Sequence, residues 1–102
     1  MHFYERMIST YYSHLWAVIH LAALNFDEAS NDKNEYTKFY ESLSTTLGCK
    51  LCTEHYKKFM LDNPPDFTDL FGWTVELHNS VNEVRGEPTF TRETSFKYWS
   101  NI

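Results

Sequence analysis

The chain has 102 residues and a formal net charge of −5, with acidic and basic side chains mixed and no basic run. That length suits one domain, read as residues 1–102, and the charge pattern excludes nucleic acid as the main partner. Aromatic residues make up 18 % of the chain, more than so small a core needs, so some rings are expected to face a flat ligand or a second subunit.

Apolar residues recur at helical spacing throughout, and no segment alternates as a strand would. The first predicted helix carries Tyr12, Leu15, Trp16, Ile19, Ala22, Ala23 and Phe26. Its apolar run, Leu15 to Phe26, is too short to span a bilayer and contains His20 and Asn25. Glu5 and the lack of a Lys/Arg-rich flank argue against a signal peptide, so no membrane association is expected. A polar loop covers Asp27 to Asn34. The second helix carries Tyr36, Phe39, Tyr40, Leu43 and Leu47, and Gly48 is placed to end it. The third begins near Cys49, carries Cys52, Tyr56, Phe59 and Met60, and is broken by Asn63-Pro64-Pro65. The fourth runs from about Asp66, with Leu70, Phe71, Thr74, Leu77, His78 and Val81 on one side, to a stop at Gly86 and Pro88. A short last helix follows Thr91 and includes Phe96 and Trp99. The expected fold is all-α: a four-helix bundle with a short fifth helix.

The chemistry centres on the two cysteines, which form one Cys49-Lys50-Leu51-Cys52 pair. One pair so close in sequence cannot staple a fold. At a helix start, however, the positive end of the helix favours the thiolate of the first cysteine, and the spacing lets the two sulfurs meet. That arrangement suits disulfide exchange, in which one sulfur is attacked and the other leaves. Other readings remain open. A thioredoxin-like domain would need flanking strands, and a c-type haem would need His where Thr53 stands. Zinc could take Cys49, Cys52 and His55 with His78 as a fourth ligand, giving a non-enzymatic, zinc-stabilised binding module. Two buried, inert thiols are the remaining possibility.

A second cluster is polar. Trp16 and His20 are four apart on the first helix and share a face. His78 and Asn82 share a face of the fourth helix, with Asn79 beside them, inside an otherwise apolar stripe. Buried polar groups of this kind need hydrogen-bond partners. A planar, polar ligand between the two helices would supply them, and so would a helix–helix hydrogen-bond network.

Three blocks of sequence resemble the Erv/ALR-type FAD-linked thiol oxidases. Ser13-His14-Leu15-Trp16-Ala17-Val18-Ile19-His20, followed by Ala22-Ala23, resembles that family's Trp-x-x-x-His first helix. Cys49-x-x-Cys52 with Glu54, Tyr56 and Phe59 resembles its active-site helix. Asn63-Pro64, Trp73 and Leu77-His78-Asn79-x-Val81-Asn82, with Gly86-x-Pro88-x-Phe90, resembles its FAD-binding helix. The resemblance spans about residues 12 to 90 and implies one non-covalently bound FAD, with catalytic cysteines Cys49, the outer sulfur, and Cys52, the one beside the flavin. It implies FAD contacts from Trp16, His20, Cys52, His78, Asn79, Val81 and Asn82, with Arg85 as the cation nearest the pyrophosphate and Tyr98 or Trp99 stacked on the adenine. It further implies a homodimer that makes disulfides in a partner dithiol, such as a small Cys-x-x-Cys carrier protein. Molecular oxygen would accept the electrons and yield hydrogen peroxide, with cytochrome c as the acceptor in some members.

Four features depart from the family pattern. Tyr12 stands where Gly is frequent, and Glu83, Val84 and Glu87 replace basic residues after the Asn-x-Val-Asn block. Val75 and Arg92 lie near the positions of cysteines that usually clamp the last helix, and there is no second shuttle pair. Minimal viral members share much of this reduction. A viral origin, with the host cytoplasm or virion as compartment, is therefore the leading expectation and the mitochondrial intermembrane space the alternative.

Overall fold

The first helix, α1, runs over Phe3–Leu24, a stretch without Gly or Pro to interrupt it. The computed structural model describes residues 3–101 and the side chains of 11–101, so residues 1, 2 and 102 of the expected unit lie outside it. The helix stops at Leu24, so Phe26 falls just beyond it, and Asp27 gathers the loop through bonds from the Ala29 amide (3.1 Å) and the Ser30 hydroxyl (3.1 Å). Next comes α2, Lys33–Ser42, which begins two residues before the predicted loop ends because Asp32 caps it, accepting from the Asn34 amide at 2.7 Å.

The second predicted helix does not continue as an α-helix to Leu47. It tightens into a 3₁₀ turn, Leu43–Thr46. Ser42 and Thr46 each turn their hydroxyl back onto a carbonyl three residues earlier, Phe39 and Leu43, both at 2.7 Å. Hydroxyls that compete with the backbone in this way weaken regular helix. Gly48 then takes φ +71°, a left-handed conformation that reverses the chain before Cys49.

The third helix, α3, is Lys50–Asp62 and ends at the expected Asn63-Pro64-Pro65 break. The fourth, α4, is Leu70–Val84 and starts four residues later than predicted. Asp66 is spent on a turn, accepting from both the amide and the hydroxyl of Thr68 at 3.0 and 2.6 Å, and Asp69 is the cap, accepting from the Gly72 amide at 3.1 Å. The far end of α4 closes as a Schellman motif: Gly86, at φ +68°, donates to Glu83 O, and Glu87 donates to Asn82 O. The last helix, α5, is Arg92–Ser100, capped by Thr91. Among the described residues there are only helices and turns, as the all-α expectation requires, and none of the helices is long and apolar enough to cross a membrane.

The core lies between α1, α3 and α4, with Ile19, Tyr40, Leu47, Cys52, Tyr56, Leu77 and Val81 fully buried. Each aliphatic side chain of this kind contributes roughly 1.5–3 kcal/mol by leaving water. Much of the aromatic excess is spent here, and the polar tips are satisfied by backbone. Tyr40 donates to Ile19 O (3.0 Å), Tyr56 to Tyr40 O (2.5 Å) and Trp73 to Asn63 O (2.9 Å), tying α2, α3 and α4 to their neighbours. The helix that carries the cysteines is thus locked onto the helix pair that carries the polar cluster.

Candidate active site

Cys49 is the N-cap of α3, and its sulfur accepts from the Cys52 amide at 3.3 Å. Both cysteines are thiols, with Cys49 half-buried and Cys52 fully buried. Their environments drive them apart. The hydrogen bond with the Cys52 side chain, then the Cys52 amide, holds the Cys49 thiol below its ordinary value, and Arg85 adds to this. Burial, then the bond to Cys49, pushes the Cys52 thiol up to about 11. The outer sulfur is therefore the readier thiolate, which suits it to attack or to be attacked.

The polar cluster forms a seam between α1 and α4. The rings of Trp16 and His78 stack with centroids 3.8 Å apart and planes within 6°. Behind them, His20 Nε2 lies 2.8 Å from His78 Nδ1, and His20 Nδ1 lies 3.0 Å from Thr74 Oγ1. Burial lowers His20 to about 3, with the neighbouring His78 adding to it. Burial also lowers His78 to about 4, with Arg85 adding to it. Both rings are neutral at ordinary pH.

In front of the seam opens a cavity of about 650 Å³, within the usual range for cofactor sites. Trp16, His78, Phe90, Tyr98 and Trp99 give it aromatic walls, and Asn82 and Arg85 supply an amide and a cation. The Trp16 indole N–H is buried and finds no acceptor among the described residues. A lone buried donor in the wall of an aromatic cavity is what a flat ligand with acceptor atoms would satisfy.

Of the residues expected to contact FAD, Trp16, His78, Asn82, Arg85, Tyr98 and Trp99 line this cavity. The other four stand behind its wall. His20 is buried behind the wall, against His78 and the rings of Trp16 and Trp99. Val81 is fully buried in the core, since it shares the stripe of Leu77 rather than that of His78. Asn79 turns away: its amide brackets the backbone of Phe90, donating to Phe90 O (2.7 Å) and accepting from Phe90 N (2.9 Å). Asn82 pins the same segment by donating to Pro88 O at 3.0 Å. The two amides therefore shape the 87–90 wall of the cavity.

Cys52 is also absent from the lining. Tyr12 stands between, and its sequence position gave only a departure from pattern. Its side chain lines the cavity next to Cys52, and its hydroxyl donates to Leu47 O. The Arg85 guanidinium covers the Tyr12 ring at 4.4 Å, placing the cation where it favours both thiolates. Burial, then the charges of Cys52 and Cys49, raises the Tyr12 hydroxyl to about 12. Cys49, Cys52 and His55, the alternative zinc set, do not converge: no metal-holding group of three such side chains occurs among the described residues.

The last helix packs through Phe96 on Phe71 and Trp99 on His20, and a charge pair adds to this. Arg92 makes a two-point contact with Asp69, Nε to Oδ2 and an Nη to Oδ1, both at 2.9 Å. The pair packs against Gly72, where an added Cβ would meet Asp69 Oδ2 at 2.2 Å. This tie joins the starts of α4 and α5 close to Val75, near where a disulfide clamp was expected to be missing.

Comparison with known proteins agrees with this arrangement. The model of the Erv1 / Alr family matches residues 13–100. The FAD-linked sulfhydryl oxidase of African swine fever virus is 32 % identical over 73 residues, covering 67 % of this chain and 61 % of that protein. The FAD-linked sulfhydryl oxidase ERV1 of Arabidopsis thaliana is 24 % identical over 92 residues, covering 85 % and 48 %. The chain thus spans between about half and three-fifths of the length of these two relatives. The crystal structure of the FAD-binding domain of Erv1 from Saccharomyces cerevisiae superposes with a TM-score of 0.75, at 24 % identity, covering 87 % of this chain and 90 % of that one. The all-helical fold is therefore shared.

Proposed function

The chain belongs to the Erv1/Alr family, and on that premise we propose that it is an FAD-dependent sulfhydryl oxidase that makes disulfides in partner dithiols. The observation that carries this reading is one continuous path from the outer thiol to the aromatic cavity: Cys49, Cys52, Tyr12 and Arg85, then the Trp16–His78 wall. Residues 1–102 act as one domain, with all five helices contributing to one packed unit.

The side chains present fit FAD. Trp16, His78, Asn82, Arg85, Tyr98 and Trp99 would hold it, with the Trp16 N–H as a waiting donor and Arg85 as the cation for the pyrophosphate. When bound, FAD would take two electrons from the dithiol and pass them to oxygen, giving hydrogen peroxide. The remaining work belongs to the chain's own groups. In the oxidised enzyme, a substrate thiolate attacks Cys49 Sγ, and Cys52 leaves as a thiolate that the Arg85 charge stabilises. A second substrate thiolate then displaces Cys49, completing the substrate disulfide and leaving both enzyme cysteines reduced. The lowered Cys49 thiol makes it a good leaving group in that step.

The partner is proposed to be a small Cys-x-x-Cys carrier, since Cys49 is only half-buried and open to an incoming thiolate. A two-fold homodimer is proposed through α1 and α2, where Tyr11 and Val18 stand 44 % and 49 % exposed one above the other on α1. The test is direct. Purified protein should release one FAD per chain on heating, and should consume oxygen when given a small dithiol. A folded, colourless protein that takes up no added FAD would refute the proposal.

A further inference from the structure

Thr74 is fully buried on α4, and thiol–disulfide chemistry requires no hydroxyl there. Its oxygen has two partners, Phe71 O at 2.6 Å and His20 Nδ1 at 3.0 Å. A threonine hydroxyl carries one proton. A carbonyl can only accept, so the short contact with Phe71 O commits that proton to it. The hydroxyl must then accept from His20, which places the His20 proton on Nδ1.

A neutral His20 with its proton on Nδ1 has a bare Nε2. That nitrogen lies 2.8 Å from His78 Nδ1, so His78 must be the donor in that contact. His78, neutral as well, therefore carries its proton on Nδ1 and leaves Nε2 unprotonated. Burial keeps both rings in the neutral state that this chain of contacts assumes. Trp16, stacked on His78 at 3.8 Å and 6°, fixes the plane of the ring. Of the linked residues Thr74, His20 and His78, only His78 lines the cavity.

We propose that Thr74 is a positioning residue: through His20 it sets the tautomer of His78, which presents a bare Nε2 acceptor to the cofactor and selects a donor group on it. This rests on the reading of the cavity as an FAD site. It assigns His78 to an N–H or hydroxyl of the cofactor and excludes it from contact with a phosphate oxygen or a carbonyl. Anionic and carbonyl oxygens are left to the Trp16 N–H and Arg85.

The experiment is long-range ¹H–¹⁵N NMR of the histidines in the full-length, flavin-loaded protein, repeated after the flavin is removed. Wild type should show Nδ1 protonated and Nε2 bare in both His20 and His78. Thr74→Val keeps the shape but removes the acceptor, so the tautomers should mix or reverse, and FAD should bind about three- to tenfold more weakly, the worth of one hydrogen bond. Thr74→Ser should restore both. A protonated Nε2 on His78 in wild type would overturn the proposal, as would a Thr74→Val protein with both tautomers and FAD affinity unchanged. If Thr74→Val does not fold, the wild-type spectrum alone decides. Correct tautomers in a protein that takes up no flavin would refute the cofactor reading and leave the assignment standing.

Discussion

Along the seam between α1 and α4, His20 and His78 are held neutral by burial, with His78 adding to the effect at His20 and Arg85 at His78. At the start of α3, Cys49 and Cys52 lie three residues apart and are driven in opposite directions, one thiol down and one up. The seam is deep, stacked and fully bonded at its back. The helix start is shallow, and its groups are poised to exchange protons and partners. A ligand site gains from groups whose state does not change, whereas a thiol-exchange site needs one sulfur readier to ionise than the other. Tyr12 and Arg85 sit where the two regions meet.

The contrast is broken most completely by removing either sulfur. Cys49→Ser and Cys52→Ser should each abolish dithiol-driven oxygen consumption, measured with an oxygen electrode, because exchange needs both an entry and a leaving sulfur. Their spectra should differ. The flavin-loaded Cys49→Ser protein should gain a broad long-wavelength band as rising pH ionises Cys52, whose thiol burial holds high, and Cys52→Ser should lack it and trap substrate as a mixed disulfide at Cys49. A band only in the variant that keeps Cys49 would reverse the two roles.

Acid probes the seam. Both histidines have folded values, about 3 and about 4, below the ordinary 6.5, so the unfolded chain binds more protons between these limits. Stability should be complete above pH 6.5 and fall as the pH drops from there, at up to about 1.4 kcal/mol per pH unit for each histidine. Thermal unfolding between pH 7 and 4.5 should show a steadily falling Tm. A flat profile over that range would mean that the rings are protonated without cost.

Tyr12→Phe tests the junction. Losing its hydroxyl removes the tie to Leu47 O that holds the ring under Arg85, so the Arg85 charge is less well placed beside Cys52 and flavin bleaching after dithiol addition should slow several-fold. Formation of the first mixed disulfide at Cys49 should be unchanged. Equal slowing of both steps would show that Tyr12 only supports the fold.

The smallest effect lies outside both regions. Arg92→Gln removes the tie to Asp69, an exposed pair that contributes about 1 kcal/mol or less, so Tm should fall slightly, and less so at high salt. A fall as large as that from losing a disulfide would mean that the pair alone secures α5.

The seam and the helix start were legible in the sequence to different depths. Gly48 and the Gly86 stop announce themselves because their positive φ favours glycine, and the Asn63-Pro64-Pro65 break because proline cannot continue a helix. The pairing of Trp16 with His20 and the position of Cys49 at a helix start follow from spacing alone. The fate of each polar side chain does not. Asn79 and Asn82 are equally suited to a ligand or to a loop, and only the path of residues 87–90 sends the first to Phe90 and the second to Pro88. Thr74 reads as one more member of an apolar stripe, because a buried hydroxyl becomes informative only once its carbonyl and imidazole partners are known. Tyr12 marks a departure from the family pattern, but its partners Leu47, Cys52 and Arg85 are 35, 40 and 73 residues away in the chain.

The most direct measurement of cooperation between the two regions is an anaerobic titration of the purified, flavin-loaded protein with a small dithiol, followed by absorbance. One equivalent of dithiol should be consumed by the Cys49–Cys52 disulfide, and the next should bleach the flavin band, which should return when oxygen is admitted. A flavin band that stays unchanged through excess dithiol, in protein whose Cys49 and Cys52 have been reduced, would show that the cysteine pair does not communicate with the cavity.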